Sequence, residues 1–200
     1  MSDVGLRERK KAATRAALSE AAIQLARERG VEHVTADAIA DAAGVSPRTF
    51  HNYFANKEEA IFAAIWDVAR ELIATLRAWP AAEPVWDAVR RATLDLVRDR
   101  RDTIDLLVAA MSLLESSPAL VVHHDTLREE AGRALVGVVA ERSGTDPDHD
   151  LYPHLICASL HAAMTASVNV WRAGKTGRDL TDLMEEAFDQ LRAGLPDAPR

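Results

Sequence analysis

The segment 35–57, TADAIADAAGVSPRTFHNYFANK, constrains the fold of this chain more than any other part of the sequence. Its first half is typical of a short helix, because Thr35 can accept a hydrogen bond from the backbone at the helix start. Gly44 follows where a sharp turn needs a positive φ, which glycine adopts at little cost. Ser46 can cap a second short helix, and Pro47 suits its first position. The segment therefore predicts two short helices joined by a tight turn.

The second of these helices is dense in hydrogen-bond donors and aromatic rings. Its polar and aromatic side chains are Arg48, Thr49, His51, Asn52 and Tyr53. Phe50 and Phe54 are predicted to pack inward and hold the helix in place. A short helix of this kind, braced by another helix across a glycine turn, has the geometry that enters the major groove of DNA.

This segment resembles the DNA-binding domain of the tetracycline-repressor (TetR) family of transcriptional regulators. The residues that follow the family signature in order and spacing are Gly44-Val45-Ser46, Thr49-Phe50, Asn52-Tyr53-Phe54 and Asn56-Lys57-Glu58-Glu59. The preceding helix also fits, with Thr14, Ile23, Leu25 and Gly30-Val31 at the expected places. About the first quarter of the chain carries the resemblance. His51 departs from it, since the family very often has a tyrosine there that touches phosphate.

The resemblance implies DNA contacts along this segment. The candidate DNA-binding residues are Thr35, Ser46, Pro47, Arg48, Thr49, His51, Asn52, Tyr53 and Lys57. The chemistry of the side chains is consistent with this role, because Arg48 and Lys57 can bind phosphate. Thr49 can meet a thymine methyl group, and Asn52 can pair with adenine. For Tyr53 the alternative is a core aromatic ring with its hydroxyl at the rim.

The rest of the chain also has helical periodicity, and no convincing alternating strand is found. The helices are expected near 7–29, 57–78, 84–100, 103–115, 118–142, 151–173 and 179–194, in addition to the two short ones. We therefore predict an all-α fold of about nine helices, with a three-helix DNA-binding domain at 1–57. A helical ligand-binding and dimerisation domain follows at 58–195, and 196–200 is a flexible tail.

Charge is divided unequally along the chain. Residues 1–57 hold nine Lys and Arg against seven Asp and Glu, a net charge of +2, whereas residues 58–200 hold fifteen against twenty-four, a net charge of −9. This confines attraction for phosphate to one end. Basic residues crowd the start of the first helix, namely Arg7, Arg9, Lys10, Lys11 and Arg15. Because they oppose the helix dipole, they indicate a partner such as phosphate; the alternative is a solvated, frayed terminus.

Other features bound the cellular setting. A single cysteine, Cys157, excludes an intrachain disulfide framework and fits a reducing cytoplasm. No apolar run approaches the roughly 20 residues needed to span a membrane, and the charged N-terminus does not suit a signal peptide. We expect a cytoplasmic protein with no membrane partner.

One DNA-binding head reads few base pairs, so specific affinity needs two heads on a twofold site. The last two helices are the best candidates for a homodimer interface, as two helices from each subunit can form a four-helix bundle. The predicted interface residues are Leu160, Met164, Val168, Trp171, Leu183, Met184, Ala187, Phe188 and Leu191. Leu155 lies on the first of these helices too, and its small residues would let helices approach closely, namely Ala158, Ser159, Ala162, Ala163, Ala166 and Ser167. The apolar bands are wider than one seam, so part of each must face its own core.

The resemblance implies a small-molecule pocket among the middle helices. The candidate lining residues are Phe62, Trp66, Trp86, Leu107, Met111, Leu114, His123, His124 and Leu127. Such residues also fill ordinary cores. Few charges fall on these faces, which favours an apolar or amphipathic effector, but the sequence does not identify it.

His154, Cys157 and His161 share one helix face and are chemically suited to zinc. Residues seven apart are about 10.5 Å apart along a helix, so one helix rarely supplies all three ligands. A dimer could share them across its axis, but we favour a packed or interface role and predict no metal and no cofactor. No GxSxG, HExxH, CxxC or phosphate-binding glycine loop is present, and we expect no enzymatic activity.

The sequence thus predicts a DNA-binding transcriptional regulator, specifically a ligand-responsive repressor that binds a pseudo-palindromic operator as a homodimer. One alternative is a helical ligand-binding or protein-interaction module whose head no longer binds DNA. A small helical enzyme is a further alternative, and it would need turnover that survives deletion of the head.

Overall fold

The computed structural model describes residues 3–80, 82–114, 117–175 and 177–196, and this part of the chain is helical throughout with no strand. Its α-helices are α1 (Asp3–Arg29), α2 (Ala36–Ala42), α3 (Pro47–His51), α4 (Lys57–Ala78), α5 (Val85–Asp99), α6 (Arg101–Leu114), α7 (Pro118–Ser143), α8 (Leu151–Arg172) and α9 (Leu180–Arg192). A one-turn 3₁₀ helix, Val31–His33, lies between α1 and α2. The predicted all-α architecture is confirmed. No helix in the described ranges combines the length and the apolar character that crossing a bilayer requires.

The helix ends follow local capping chemistry. Thr35 accepts a hydrogen bond from the Ala38 amide at 3.2 Å and caps α2 as predicted. Asn56 accepts from the Glu59 amide at 2.8 Å at the start of α4. The Glu59 carboxylate accepts a hydrogen bond from the Ala55 amide. In a reciprocal capping box it would accept from the Asn56 amide instead. The first helix begins at Asp3, four residues before the predicted start, so the basic residues that begin at Arg7 lie beyond its first turn.

The chain divides into two compact units, which are described separately. The first consists of Met1–Val68 and Asp102–Arg128, and the second of Ala69–Arg101 and Glu129–Arg200. The predicted boundary at residue 57 does not coincide with this division and stays a prediction.

The core of the first unit is formed around α1, α2 and α3. The buried stripe of α1 contains Leu18, Ala22 and Leu25, which recur at helical spacing. Ile39 on α2 and Phe50 on α3 are fully buried as well. Burying each large apolar side chain contributes roughly 1.5–3 kcal/mol, so these contacts stabilise helices that are too short to form alone.

The second unit packs α8 along α9, with α5 against both. The ring of Trp86 meets Phe188 edge-on, with centroids 5.7 Å apart and an interplanar angle of 77°. At the periphery Arg98 pairs with Glu185, and Arg192 pairs with Asp87. These exposed pairs contribute little individually, so the apolar contacts hold the unit together.

A separate contact in the second unit fixes the end of α4. Arg142, on α7, donates to three backbone carbonyls at the end of that helix and in the turn after it. The acceptors are Leu76 at 3.0 Å, Trp79 at 2.8 Å and Pro80 at 3.0 Å. The last carbonyls of a helix lack partners within it, and this guanidinium supplies them.

Candidate DNA interface

The turn between α2 and α3 is set by Gly44 and closed by Ser46. Gly44 has φ +67°, the left-handed conformation predicted from its position. The Ser46 hydroxyl accepts from the Thr49 amide at 3.2 Å and lies 2.9 Å from the Thr49 hydroxyl. Pro47 opens α3, and Asn52 follows its last residue. Local chemistry therefore specifies both the start and the length of this five-residue helix.

The polar residues of α3 and its flanks lie at the surface, whereas its aromatic anchors do not. Phe50 and Phe54 are 0% and 1% exposed, with ring centroids 5.8 Å apart, as the inward-packing prediction requires. Of the nine predicted DNA-binding residues, the exposed ones are Thr35, Ser46, Pro47, Arg48, His51 and Asn52, and the half-buried ones are Thr49, Tyr53 and Lys57. The structure thus brings these residues to one compact segment with a solvated polar face.

Arg15 has a role that the sequence did not reveal. We expected it to belong to the basic cluster that faces phosphate, but its guanidinium is bound within the first unit. It pairs with Asp67 on α4 at 3.2 Å, donates to the Tyr53 carbonyl at 3.3 Å, and lies 4.5 Å above the ring of Phe54. Arg15 therefore connects α1, residues Tyr53 and Phe54 just after α3, and α4. The sequence held one clue to this role. Arg15 lies on the same side of α1 as its buried apolar residues, where a charge needs a partner.

Lys57, a predicted phosphate ligand, also makes internal contacts. Its ammonium donates to the Val31 carbonyl at 2.7 Å and to the Val34 carbonyl at 3.0 Å. It thereby fixes the 3₁₀ turn before α2 to the first residue of α4. A lysine ammonium has three donors, so a further contact is chemically open to it, and phosphate binding by Lys57 stays a prediction.

The predicted ligand-binding residues do not form one described cavity. In the first unit Phe62 and Trp66 are buried, Leu107 is half-buried, and Met111 is 38% exposed. Trp86 lies in the second unit against Phe188. The side chains of Leu114, His123, His124 and Leu127 lie outside the described residues.

An open groove of about 460 Å³ lies in the second unit, between α7, the loop before α8 and the first turn of α8. Its lining residues are Glu129, Gly132, Arg133, Val136, Gly137, Pro147, Asp148 and His154. None of the predicted ligand-binding residues contributes to it. The groove carries charges of both signs, unlike the apolar pocket that the sequence led us to expect.

The predicted dimer residues divide into buried and accessible groups. Leu160, Leu183, Met184 and Phe188 pack in the core of their own unit. Val168, Trp171, Ala187 and Leu191 are half-buried, and Met164 is 40% exposed. The opposite face of α8 exposes an apolar strip formed by Leu151, Leu155, Ala158, Ala162 and Ala166. Leu151 and Leu155 are 75% and 57% exposed, so this face is the part of the apolar band that the core does not use.

The residues considered for zinc share one side of α8 but differ in their exposure. His154 is exposed, with Nε2 2.7 Å from the Pro147 carbonyl, and His161 is exposed as well. Cys157 is half-buried, and burial raises the pKa of its thiol from 9.0 to about 11, which disfavours a metal-binding thiolate. Across the described ranges, no three His, Cys, Asp or Glu side chains group closely enough to hold a metal ion.

Comparisons with known families match both ends of the chain. Residues 18–65 match the model described as bacterial regulatory proteins, tetR family. Residues 83–196 match the model of the MftR C-terminal domain. The first match spans α2, the Gly44 turn and α3, and the second covers more than half of the chain.

Individual relatives extend over nearly the whole chain. The HTH-type transcriptional regulator TcmR of Streptomyces glaucescens is 36% identical over 199 residues, which cover 96% of this chain and 88% of TcmR. SmeT of Stenotrophomonas maltophilia, solved with triclosan, has a TM-score of 0.63 at 17% identity, covering 94% of this chain and 99% of SmeT. FadR of Thermus thermophilus, a TetR-family repressor solved with lauroyl-CoA, has a TM-score of 0.55 at 24% identity, covering 93% and 97%.

Proposed function

This chain belongs to the TetR family of bacterial transcriptional regulators, and we propose that it represses transcription by binding a pseudo-palindromic operator as a ligand-responsive homodimer. Such a regulator works in the cytoplasm, where bacterial DNA lies, and no catalytic step belongs to this function. The observation that supports it most is α3, whose polar side is solvated while Phe50 and Phe54 anchor the other side in the core.

In this function α3 enters the major groove and its neighbours bind the DNA backbone. Arg48 is exposed and can reach a phosphate. Asn52 is exposed at the end of α3 and can form a paired hydrogen bond with adenine. Ser46 and Thr35 present hydroxyls beside helix starts, where backbone amides favour anions. The proposed interface retains all nine residues predicted from the sequence.

The homodimer sets the separation of the two heads. We assign the contact to the exposed strip of α8, together with the accessible members of the predicted set, Met164, Val168, Trp171, Ala187 and Leu191. Small residues on this strip allow a helix of the second subunit to approach closely. A four-helix arrangement of α8 and α9 from both subunits would then hold two copies of α3 on successive major grooves.

An apolar or amphipathic effector completes the function. The apolar side chains of Phe62 and Trp66 support it, and the structural neighbours bound to triclosan and lauroyl-CoA are in keeping with this class of ligand. The effector favours a head separation that does not match the operator. By linkage, operator binding then weakens effector binding by the same factor.

Titration of DNA binding against salt tests the phosphate role of Arg48. The purified chain should bind a duplex from the region upstream of its own gene, and Arg48→Ala should weaken binding to all sequences. Each head then neutralises one phosphate fewer, so the negative slope of log K against log salt should become shallower by about 0.9 per head. The matched control is Arg77→Ala, an exposed arginine of the second unit, which should keep the wild-type slope.

Asn52→Ala should alter sequence preference instead. Its loss of affinity should be concentrated on operator variants with adenine at one position per half-site, by about 1–3 kcal/mol. A uniform loss over all variants would contradict base recognition by Asn52. Failure of the wild-type chain to bind its upstream DNA would favour the alternative of a ligand-binding or protein-interaction module.

A further inference from the structure

The end of α3 is held by a single side chain from α1. Arg15 is half-buried, and its guanidinium contacts both residues that follow Asn52, the cap of α3. It donates to the Tyr53 carbonyl at 3.3 Å and lies 4.5 Å above the ring of Phe54. One cation therefore contacts the backbone and a buried aromatic anchor at the same point of the chain.

A carboxylate on α4 orients this guanidinium. Asp67 accepts a hydrogen bond from Arg15 Nε at 3.2 Å, and the two side chains are 25% and 42% exposed. The guanidinium is planar and rigid, so binding of Nε by Asp67 restricts where its terminal nitrogens can point. An ion pair of this exposure adds little to stability. What the pair does determine is the position of the donor that reaches Tyr53.

The direction of α3 depends on contacts of this kind, because the helix is only five residues long. A helix of that length is not stable alone and is held by its packing partners. The Gly44 turn and the Ser46 cap fix its start. Arg15 acts at the opposite end, where the carbonyls of a helix lack donors within it. The two ends of α3 are therefore fixed by different parts of the chain.

We propose that Arg15 and Asp67 are positioning residues for base recognition by α3. Asp67 orients Arg15, and Arg15 fixes the end of α3 from which Asn52 reaches the DNA. This inference rests on the proposed function and deepens it. Side chains that read a partner must be held within about 0.5 Å of their productive position. Asn52 directly precedes Tyr53, so a shift of the Tyr53 carbonyl moves Asn52 with it.

The test measures how much more tightly the full chain binds a duplex from the region upstream of its gene than an unrelated duplex of equal length, at several salt concentrations. Arg15→Gln should reduce this preference by about 5-fold or more, the equivalent of one base contact. The slope of log K against log salt should stay at its wild-type value, because Asp67 already neutralises Arg15. An unchanged preference would overturn the inference, and so would a shallower slope, which would make Arg15 a direct phosphate ligand.

Further variants test the contacts themselves. Arg15→Lys, whose ammonium can still donate to both oxygens, should retain more of the preference than Arg15→Gln. Asp67→Asn should also reduce the preference, because Arg15 is then no longer oriented by a charge. Adding Asp67→Asn to Arg15→Gln should cause little further loss, since residues that act through one contact are not additive. Losses that multiply in the double variant would show that Asp67 does not act through Arg15 and would overturn its role.

A matched control separates positioning from stability. Ile23, on α1 in the same unit, is 1% exposed, so Ile23→Val should lower the melting temperature without touching α3 or Arg15. At a temperature where all variants are folded, this control should keep the wild-type preference and slope. An equal loss of preference in Ile23→Val would reduce Arg15 to a structural role and overturn the inference. Wild-type protein that shows no preference between the two duplexes would instead overturn the proposed function.

Discussion

At the scale of the residue, Gly44 shows how one backbone angle positions the recognition helix. Its φ of +67° lies in the left-handed region, and a Cβ built there meets nothing within 4 Å. The cost of a side chain at Gly44 therefore comes from backbone strain and not from a clash. Gly137 provides the contrast, because it lies within α7 and a Cβ there meets nothing within 4 Å either.

These two glycines should respond to alanine with opposite signs. Gly44→Ala should lower the free energy of unfolding by roughly 1–2 kcal/mol, the strain of left-handed backbone. Gly137→Ala should raise it by roughly 0.5–1 kcal/mol, since alanine favours a helix over glycine. Urea denaturation of both variants measures the difference. A stabilising Gly44→Ala would show that the turn relaxes to another conformation.

Cys157 should react slowly with thiol reagents. Because burial raises its thiol pKa from 9.0 to about 11, its thiolate fraction at pH 8 should be about 100-fold lower than that of an unfolded thiol. Alkylation rates measured against pH, with and without urea, give the two midpoints. The neutral form is favoured in the folded state, so this contribution to stability is complete below pH 9 and is lost between pH 9 and about 11. A midpoint near 9 in the folded protein would contradict the burial effect.

Single residues were predictable where their partners are close in sequence. Thr35 and Ser46 each bond an amide three residues later, so the sequence alone identified these caps. Arg15 was not predictable in this way, since Asp67 lies 52 residues away along the chain. Local patterns specify local bonds, whereas the pairing of distant charges depends on how the helices pack.

At the level of the helices, the sequence predicted where a helix ends better than it predicted which other helix contacts that end. The bounds of α4 agree with the prediction of 57–78, because Asn56 starts it and the Pro80 region ends it. Nothing in the sequence indicated that Arg142 donates hydrogen bonds to the carbonyls at the end of α4. That contact spans 66 residues to the Leu76 carbonyl, and it requires α7 to lie beside the last turn of α4.

Arg142 should therefore matter more to stability than its half-buried position suggests. Arg142→Met keeps much of the side-chain volume but removes the guanidinium from three carbonyls, of which Leu76 and Pro80 keep a backbone amide donor. We expect a decrease of roughly 1.5–3 kcal/mol in the free energy of unfolding, as for hydrogen bonds to charged groups. Chemical denaturation monitored by circular dichroism measures it.

The control for this contact lies on the same helix. Arg133 is 70% exposed and pairs with Glu129 at 3.7 Å, so Arg133→Met should change stability by less than about 0.5 kcal/mol. Equal decreases in the two variants would mean that the carbonyl contacts of Arg142 contribute no more than a surface charge does.

At the scale of the whole molecule, the decisive question is which apolar surface the core leaves uncovered. Both sides of α8 are apolar, so periodicity could place the helix in a core or in an interface but could not separate its two faces. The structure separates them: Leu160 and Ala163 are buried within the second unit, while Leu151 and Leu155 are exposed. The interface prediction from sequence therefore mixed residues of the core with residues available to a partner.

A charge on the exposed face should separate folding from assembly. Leu155→Glu places a carboxylate on a side chain that is 57% exposed, so the subunit should fold while the homodimer dissociates. Two linked heads gain affinity over one through effective concentration, so operator affinity should fall by about 100-fold or more. Leu195→Glu, at a site 65% exposed beyond α9, makes the same change away from this face and should stay dimeric. Native mass spectrometry measures the oligomeric state, and titration with operator DNA measures the affinity. A Leu155→Glu variant that stays dimeric with full operator affinity would show that the subunits meet through another surface.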